Sequence, residues 1–571
     1  MTKKIVRVNM SAKTVNFEDV KEELRLFGGR GFIAKILNDE VDPKCDPLGP
    51  ENKLIISTGL LAGTPAPTSG RISIGGKSPL TGTIKEANAG GMAGNMLARM
   101  GIKAIIVEGV PVEDKWYILK ISREGAELLP GDKYVGMNNY DLAAALQKEF
   151  GDKIGILSIG GAGERGYKNS TVQITDTSGR PCRAAARGGV GAIMGSKRIK
   201  AIVLDPAGAA LETEYADREK FTAAARGYIQ GVKSNPLSGQ ALPALGTAVL
   251  VNVVNALGAL PTRNFTSGQF EYAEDISGEN LAKLQGERGG KTDHICQPGC
   301  PIGCSNVYVD ENGNYITSGL EYETIVLNGS NCGISSLDTL ARIDRLCDDF
   351  GLDTIETGAT IGVCMEAGKI SFGDGHGALA LIQEMIDGTE FGRILGQGAT
   401  YTGRALGVKR IPSVKGQSLA AYDPRALKGT GVTYATSPMG ADHTAGNSIA
   451  DTSVDHHKKE GQVELSTNLQ VGMATFDSLG MCIFSGFCTV DPVNIGHLVD
   501  MMAARYGGEW SAEKLFGLGV QTLALEKRFN EKAGFTSRDN LLPEFMYREP
   551  LPPYNLVFDL SEEELARAIP F

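Results

Sequence analysis

The sequence predicts an α+β multidomain protein. A β-rich part covering about residues 1–208 precedes two mainly helical parts, 209–415 and 416–571. Three observations carry this. Short strand-like runs joined by Gly-rich connections fill the chain to about residue 210. Beyond that point apolar residues recur with helical spacing. Glycine makes up 74 of the 571 residues, well above the usual share of about 7%. No low-complexity run accounts for it, so many tight turns and close backbone approaches are expected, as a large buried cofactor would require.

Taken in order, 4–9 and 14–17 read as a hairpin, and 53–58, 71–74, 104–108, 116–121 and 201–204 as further strands. Gly-rich connections occupy 89–94 and 187–195. The strand-like run 154–159 leads into Gly161, Gly163 and Gly166, a formal G-x-G-x-x-G. A dinucleotide site also needs a helix opening at those glycines and an acidic residue about 20 positions on. Strand-like residues follow instead and position 186 is Ala, so a plain turn is the better reading. Helical patterns cover 219–232, 247–257, 494–505 and 513–529, and 376–406 reads as two helices. In 337–347, Leu337, Leu340, Ile343 and Leu346 share one face. The loop-rich passage 410–440, with Pro412, Pro424 and Pro438, reads as a boundary. No repeat is visible at periods of 20–50 residues.

The net charge of −10 and the lack of basic runs exclude a nucleic-acid surface. No apolar stretch is long enough for a membrane span, and the start lacks a signal-peptide core, so a cytoplasmic protein is expected. Ten cysteines in this length form no disulfide scaffold.

Three of those cysteines, Cys296, Cys300 and Cys304, stand within nine residues of a Gly/Pro-rich loop. Thiolates are soft ligands, and Gly299 and Gly303 let such a loop wrap around one occupant. That occupant is an iron–sulfur cluster or a zinc ion, unless the loop is purely structural. A [4Fe–4S] cluster needs a fourth cysteine. Two short stretches echo each other, Asp348-Asp-Phe-Gly-Leu-Asp353 and Asp477-Ser-Leu-Gly-Met-Cys482. Each ends a helical pattern where Gly in a left-handed cap turns the chain. As a pair they suggest two equivalent ligand halves, and the second supplies Cys482 as a candidate fourth thiolate.

These residues resemble the tungsten-containing aldehyde:ferredoxin oxidoreductase family. The likeness runs over about residues 4–550, through Lys77-Ser-Pro-Leu-Thr-Gly82, Arg183-Ala-Ala-Ala-Arg187 with its glycines, Gly246-Thr-Ala-Val-Leu-Val-Asn252, Glu321-Tyr-Glu323, Gly440-Ala-Asp-His443 and the stretch 57–71. It implies a tungsten (or molybdenum) ion held by two pterins beside a [4Fe–4S] cluster, with the β domain as the pterin base. Asp348 and Asp353 would bind one pterin, and Asp477, with Met481 in the same loop, the other. A carboxylate suits this role because it accepts two hydrogen bonds from ring N–H donors. Cys482 would join the three loop cysteines as cluster ligands. Arg71 would bridge cluster and pterin, while Asn88 and the Ala184 carbonyl would help hold a Mg²⁺ ion between the cofactor phosphates. Arg183, Arg187 and the glycine segments around Gly90 and Gly188 would meet phosphate oxygens. Glu323 and His443 match the family's metal-side pair, a base for water and a donor to the carbonyl oxygen.

The expected reaction oxidises an aldehyde to a carboxylic acid with electrons passed to ferredoxin. An alternative is a member that reduces a carboxylic acid or another substrate beside an iron–sulfur or flavin subunit; a third reading is a pterin-free iron–sulfur carrier. Three departures from the family stand out. The first cysteine gap is one residue longer. Arg342 and Arg345 replace the usual interface-iron motif, so no interface iron is expected and the oligomeric state is open. The usual C-terminal tail is missing after Phe571, and Ala445 stands in place of a frequent lysine.

Overall fold

The computed structural model describes residues 3–207 and 213–569. The expected limit at 208/209 and the terminal Phe571 therefore lie outside the described residues. The first sheet is built from β1 (Lys4–Asn9), β2 (Thr14–Asp19), β3 (Leu54–Thr58), β4 (Ile72–Lys77), β5 (Ile84–Ala89) and β6 (Ile102–Glu108), in the order β2-β1-β6-β3-β4-β5. The second contains β7 (Tyr117–Ser122), β8 (Ala126–Pro130), β9 (Gly155–Ser158), β10 (Val172–Ile174), β11 (Arg183–Ala185) and β12 (Ile199–Asp205), in the order β11-β10-β9-β12-β7-β8. Side chains alternate across each strand. Ile55, Ala104 and Ile106 face the helix Gly29–Glu40. Ile56, Ile105 and Val107 face a core shared with Leu119, Leu157, Ile202 and Leu204 of the second sheet. The far side of that sheet, Ile118, Ile156 and Val203, is covered by the helix Asn139–Phe150.

The two sheets are copies of one topology. Read from β8 to β11, the second repeats the first from β2 to β5, including one parallel pair, β7 with β12 against β1 with β6, and the same register shift at its start. The outer helices occupy the same place in each copy. Gly90-Gly91 and Gly188-Gly189 follow β5 and β11, stand 98 positions apart, and lead into the short helices Ala93–Arg99 and Val190–Ser196. A search at periods of 20–50 residues misses a repeat of this length. The edge strands β5 and β11 lie against each other.

The helical remainder follows the expected helices with two corrections. The segment 376–406 holds three helices, Gly375–Asp387, Glu390–Leu395 and Ala399–Leu406, because Gly388 and Gly398 each take a left-handed φ and break the run. The passage 410–440 is no exposed boundary: Leu419, Ala420, Ala421, Leu427 and Tyr434 are buried, and the helix Lys428–Thr436 runs through it. The residues after β9 form one helical turn, Gly161–Glu164, then strand, as the non-nucleotide reading required. Segments also interleave. The helix Arg218–Ser234 packs on Pro492–Tyr506, and residues 542–568 enter the core built by 248–441. Among the described residues no single helix is long and apolar enough to cross a membrane; one bent pair, Leu237–Leu245 with Thr247–Leu257, meets the criterion by composition only.

The helical part grips the base through the two echoed loops, and it does so twice in the same way. Leu60 and Leu61 donate backbone N–H to the Ser478 and Leu479 carbonyls (3.0 Å each), and Arg71 to Gly480 (3.1 Å). In the other copy, Thr171 donates to Gly351 (2.9 Å) and Asp353 donates to Asn169 (2.9 Å). Gly480 and Gly351 both cap their helices in the left-handed region. A Cβ on Gly59, just after β3, would collide with the Gly480 backbone; one on Gly160 or Gly161, just after β9, would collide with Phe350. That approach accounts for Gly161, the first glycine of the formal nucleotide fingerprint; Gly163 instead packs against Ile159 and Gly191, and Gly166 takes a left-handed φ of +66°. A Gly59→Ala variant should lose about 1–3 kcal/mol of stability, read as a lower denaturant midpoint; an unchanged midpoint would show that the two backbones are not locked together.

Candidate functional site

The cysteine loop is the tip of an antiparallel pair, Lys291–His294 with Ser305–Val309. Gly299 (φ +75°) and Gly303 (φ +63°) turn it, so the extra residue between Cys296 and Cys300 is absorbed where no Cβ resists. Its Cys296 end is held on three sides. The Cys296 carbonyl accepts the Gly91 N–H (3.1 Å), the Ile295 carbonyl accepts the Thr177 hydroxyl (3.2 Å), and His294 Nε2 meets Asp176 Oδ2 at 2.7 Å. Cys482 is buried beside this loop. Thr68 ties the two together, its carbonyl accepting from Gln297 Nε2 (3.1 Å) and its hydroxyl from the Cys482 N–H (3.4 Å). Thr68 has φ +56°, a conformation L residues seldom hold without outside support.

Burial pushes the Cys300 thiol up to about 12 and raises Cys296 and Cys304 as well. The Arg183 and Arg71 guanidiniums pull Cys296 back toward its thiolate, the form a ligand needs. The four sulfurs influence one another electrostatically, yet among the described residues no three His, Cys, Asp or Glu side chains converge tightly enough for a single ion.

Arg71 lies between the cysteines and the second echoed loop. Its charge is stabilised by Cys482, then Cys296, Asp477 and Glu86, against the cost of burial. Its Nε donates to Asn88 Oδ1 and its Nη2 to the Asn88 carbonyl (3.1 Å). Asp477 accepts from Arg30 Nη1 (3.3 Å), while Arg30, 1% exposed, forks onto Glu526 at 2.7 and 2.8 Å. Burial raises Asp477 and Glu86; Arg30 and Arg71 pull Asp477 back, and the Asp477 charge raises Glu86 further. Met481 is fully buried, its N–H held by the Phe476 carbonyl (3.0 Å).

At the first echoed loop the partners differ. Asp353 caps the helix Thr354–Glu366 through the Ile355 N–H (3.0 Å) and accepts from Arg187 Nε (3.2 Å). The remaining donors of Arg187 reach the carbonyls of Ala441 and Ser418 (2.8 Å each), so this arginine is already engaged by protein groups. Arg183 donates to Ser305 Oγ (2.9 Å) and the Ser318 carbonyl (2.8 Å), leaving a buried Nε with no partner among the described residues. Asp348 is raised well above its ordinary range by burial and then by Asp344. Ala184 lies on β11 opposite Gln173 of β10, and Asn88 on β5, so the abutting edge strands carry both. Gly90 and Gly188 are crowded by Cys296 and by the Lys85 side chain. Arg345 lies 3.4 Å from the Tyr140 ring centroid and donates to the Ile316 carbonyl (3.1 Å).

Glu323, in the first turn of Tyr322–Asn328, faces His443: Oε1 to Nε2 is 3.3 Å. Its Oε2 accepts the Ala421 N–H (2.8 Å). Burial raises the Glu323 carboxyl, and the His443 charge draws it partly back. Behind them Lys85 Nζ, from β5, meets Asp442 Oδ2 at 2.8 Å, and Lys85 with Arg187 holds Asp442 well below the carboxylate range despite its burial. His443 Nδ1 has no hydrogen-bond partner among the described residues and lies 3.9 Å from Asp442 Oδ1.

Sequence reasoning missed Arg30, Thr68, Lys85, Asp176, His294, Gln297 and Glu526. One signal existed for Arg30: it sits between Gly29 and Gly31, and a Cβ on Gly29 would collide with the Asp477 carbonyl. Burial pushes Asp176 up, but His294, Arg183 and the Arg180 and Ser178 N–H groups bring it to about 2. That is below the ordinary value near 4, so its stabilisation is complete above about pH 4 and lost as pH falls toward 2. Asp176→Asn should cost about 2 kcal/mol at pH 7 and flatten the stability–pH curve between those limits; equal slopes in both proteins would refute the pairing.

Comparisons with known proteins place the chain in a family. Residues 5–206 match the family model described as aldehyde ferredoxin oxidoreductase, N-terminal domain, and 223–565 the one for its domains 2 and 3. The tungsten-containing aldehyde ferredoxin oxidoreductase of Pyrococcus abyssi is 37% identical, covering 96% of this chain and 92% of that protein. The Thermococcus kodakarensis protein of the same name is 36% identical over the same shares. The active-site complex BamBC of benzoyl coenzyme A reductase shares the fold, with a TM-score of 0.80 at 20% identity, over 100% of this chain and 94% of its own. The matched domains cover nearly the whole chain, and it belongs to the aldehyde ferredoxin oxidoreductase family of oxidoreductases.

Proposed function

We propose that this protein oxidises an aldehyde to its carboxylic acid in the cytoplasm, using a tungsten bis-pterin and a [4Fe–4S] cluster, and delivers the electrons to ferredoxin. The observation that carries the reading is the place of Arg71: its N–H holds the Gly480 carbonyl of the second echoed loop (3.1 Å), and its Nη1 and Cys296 Sγ both lie against Gly90. A half-buried guanidinium there faces two anionic seats at once and joins them. The donor set fits the cofactors. Three cysteines of one loop and Cys482 of the second echoed loop, tied to it through Thr68, offer the four thiolates of a [4Fe–4S] cluster. Asp348, Asp353 and Asp477 offer acceptors to pterin N–H groups, and Asn88 with the Ala184 carbonyl offers oxygens to a hard cation such as Mg²⁺.

When bound, the tungsten pterin supplies the two-electron step and the cluster passes electrons on singly. The chain's own residues bind, orient and move protons. Glu323, its carboxyl raised by burial, takes the proton of the attacking water through Oε1. His443 Nε2 donates to the substrate carbonyl oxygen as negative charge builds there. Asp442, fixed by Lys85, sets the position of the turn His443–Ala445 that carries the imidazole. Buried Tyr322 and Tyr422 flank the pair and limit water, the Tyr422 ring lying 6.1 Å from that of His443.

Purified protein should carry about one tungsten and about four irons per chain. Cys482→Ser should lower the iron count, and a variant retaining all four would remove Cys482 from the ligand set. Glu323→Gln should keep both metals and reduce kcat by at least about 10²-fold. Because the Glu323 pKa is raised, wild-type activity should fall on acidification at a pH above the ordinary Glu range. A variant with unchanged kcat, or a wild-type profile flat through that range, would take Glu323 out of the proton transfer.

A further inference from the structure

The two loop seats are equivalent in backbone but not in side chains, and the difference exposes a residue that the proposed chemistry has not yet used. Arg71 N–H donates to Gly480 as Thr171 N–H donates to Gly351, so Thr171 and Gln173 on the β10 side stand where Arg71 and Ser73 stand on the β4 side. At the second seat the charged Arg71 lies beside Asp477. At the first, the neutral Gln173 lies beside Asp348. Its Nε2 donates to Thr171 Oγ1 (3.1 Å) and lies 3.5 Å from Asp348 Oδ1. Turning the amide over would set its oxygen against a carboxylate oxygen, so this orientation follows from the neighbours. The oxygen Oε1 is then left fully buried with no donor among the described residues. Earlier on the same segment, Asn169 is 1% exposed, and neither polar atom of its side chain has a hydrogen-bond partner among the described residues. Its carbonyl is the one that holds the Asp353 N–H.

Buried amide oxygens are almost always paired. A fully buried, unpaired amide oxygen on a side chain that lies beside a carboxylate marks a place that expects hydrogen-bond donors from a ligand. We propose that Gln173 is a binding residue of the first pterin, its Oε1 accepting a ring N–H next to those taken by Asp348; the proposal rests on the bis-pterin reading above. A pterin edge presents several adjacent N–H donors, more than one carboxylate can accept. An anionic ligand group would be repelled here. The first seat thus adds a neutral acceptor to its carboxylates Asp348 and Asp353, and the second relies on Asp477.

The test uses full-length protein produced with tungsten and reads cofactor content rather than turnover. Tungsten, iron and released pterin are measured per chain in wild type, Gln173→Met, Gln173→Glu and Gln173→Asn. Gln173→Met keeps the volume and removes the acceptor, so pterin and tungsten should fall about tenfold, as loss of a buried hydrogen bond implies, while iron is retained. Gln173→Glu sets a carboxylate oxygen against Asp348 Oδ1, where Nε2 now stands at 3.5 Å, and should lower pterin and tungsten as Gln173→Met does. Full pterin and tungsten in Gln173→Met would overturn the proposal. If Gln173→Met also loses iron, it has lost its fold and Gln173→Asn decides: cofactor loss with iron intact supports the proposal, and full cofactor overturns it. Wild type with iron but no pterin would sink the bis-pterin reading and this proposal with it.

Discussion

The structure depends on two glycine contacts, Gly59 against Gly480 and Gly160 against the end of the Leu337–Phe350 helix. At each, a helix is capped by a left-handed glycine whose carbonyl accepts a backbone N–H of the β base, from Arg71 at Gly480 and from Thr171 at Gly351. Backbone pairing of this kind needs the two chains in contact without side chains between them, and only glycine allows that approach. Once made, it fixes where Asp348, Asp353, Asp477 and Cys482 stand relative to the sheets. The cysteine loop, the arginines and the metal-side pair are then placed by ordinary packing around those anchors.

The charges buried in this region form connected sets rather than isolated pairs. Glu526, Arg30 and Asp477 are one set, Lys85 and Asp442 a second, and Arg187 with Asp353 and Glu356 a third. Removing one member of such a set leaves its partner charged in a dry interior, which is far costlier than the pair's own net worth. Their value here lies in direction. Each holds a carboxylate or imidazole on one bearing, and each reaches from the β base into the helical cover. The site is therefore rigid because its two walls are wired together by charge.

Much of this was legible in the sequence, and what was not has a physical reason. Strands and long helices showed through their periods, as at 337–347, where one apolar stripe marked the helix that runs to Phe350. The Gly-x-x caps of both echoed loops and the wrap of the cysteine loop followed from glycine alone. The duplicated sheet did not show, because its copies share backbone topology and two glycine pairs but few side chains. The broken helix at Gly388 and Gly398 was missed because the apolar rhythm continues across the breaks. Lys85, Arg30 and Glu526 were invisible as site residues: nothing in a single sequence marks a charge as buried until its partner, hundreds of residues away, is known.

Thr68 hydrogen-bonds to a residue 414 positions further along the chain. During synthesis, then, the first half of the molecule emerges with its glycine seats open and the Gln297 and Cys482 partners of Thr68 not yet made. The contact between Thr68 and the second echoed loop cannot close before Cys482 has been made. The order in which these two walls meet is thus constrained by where one threonine finds its partners.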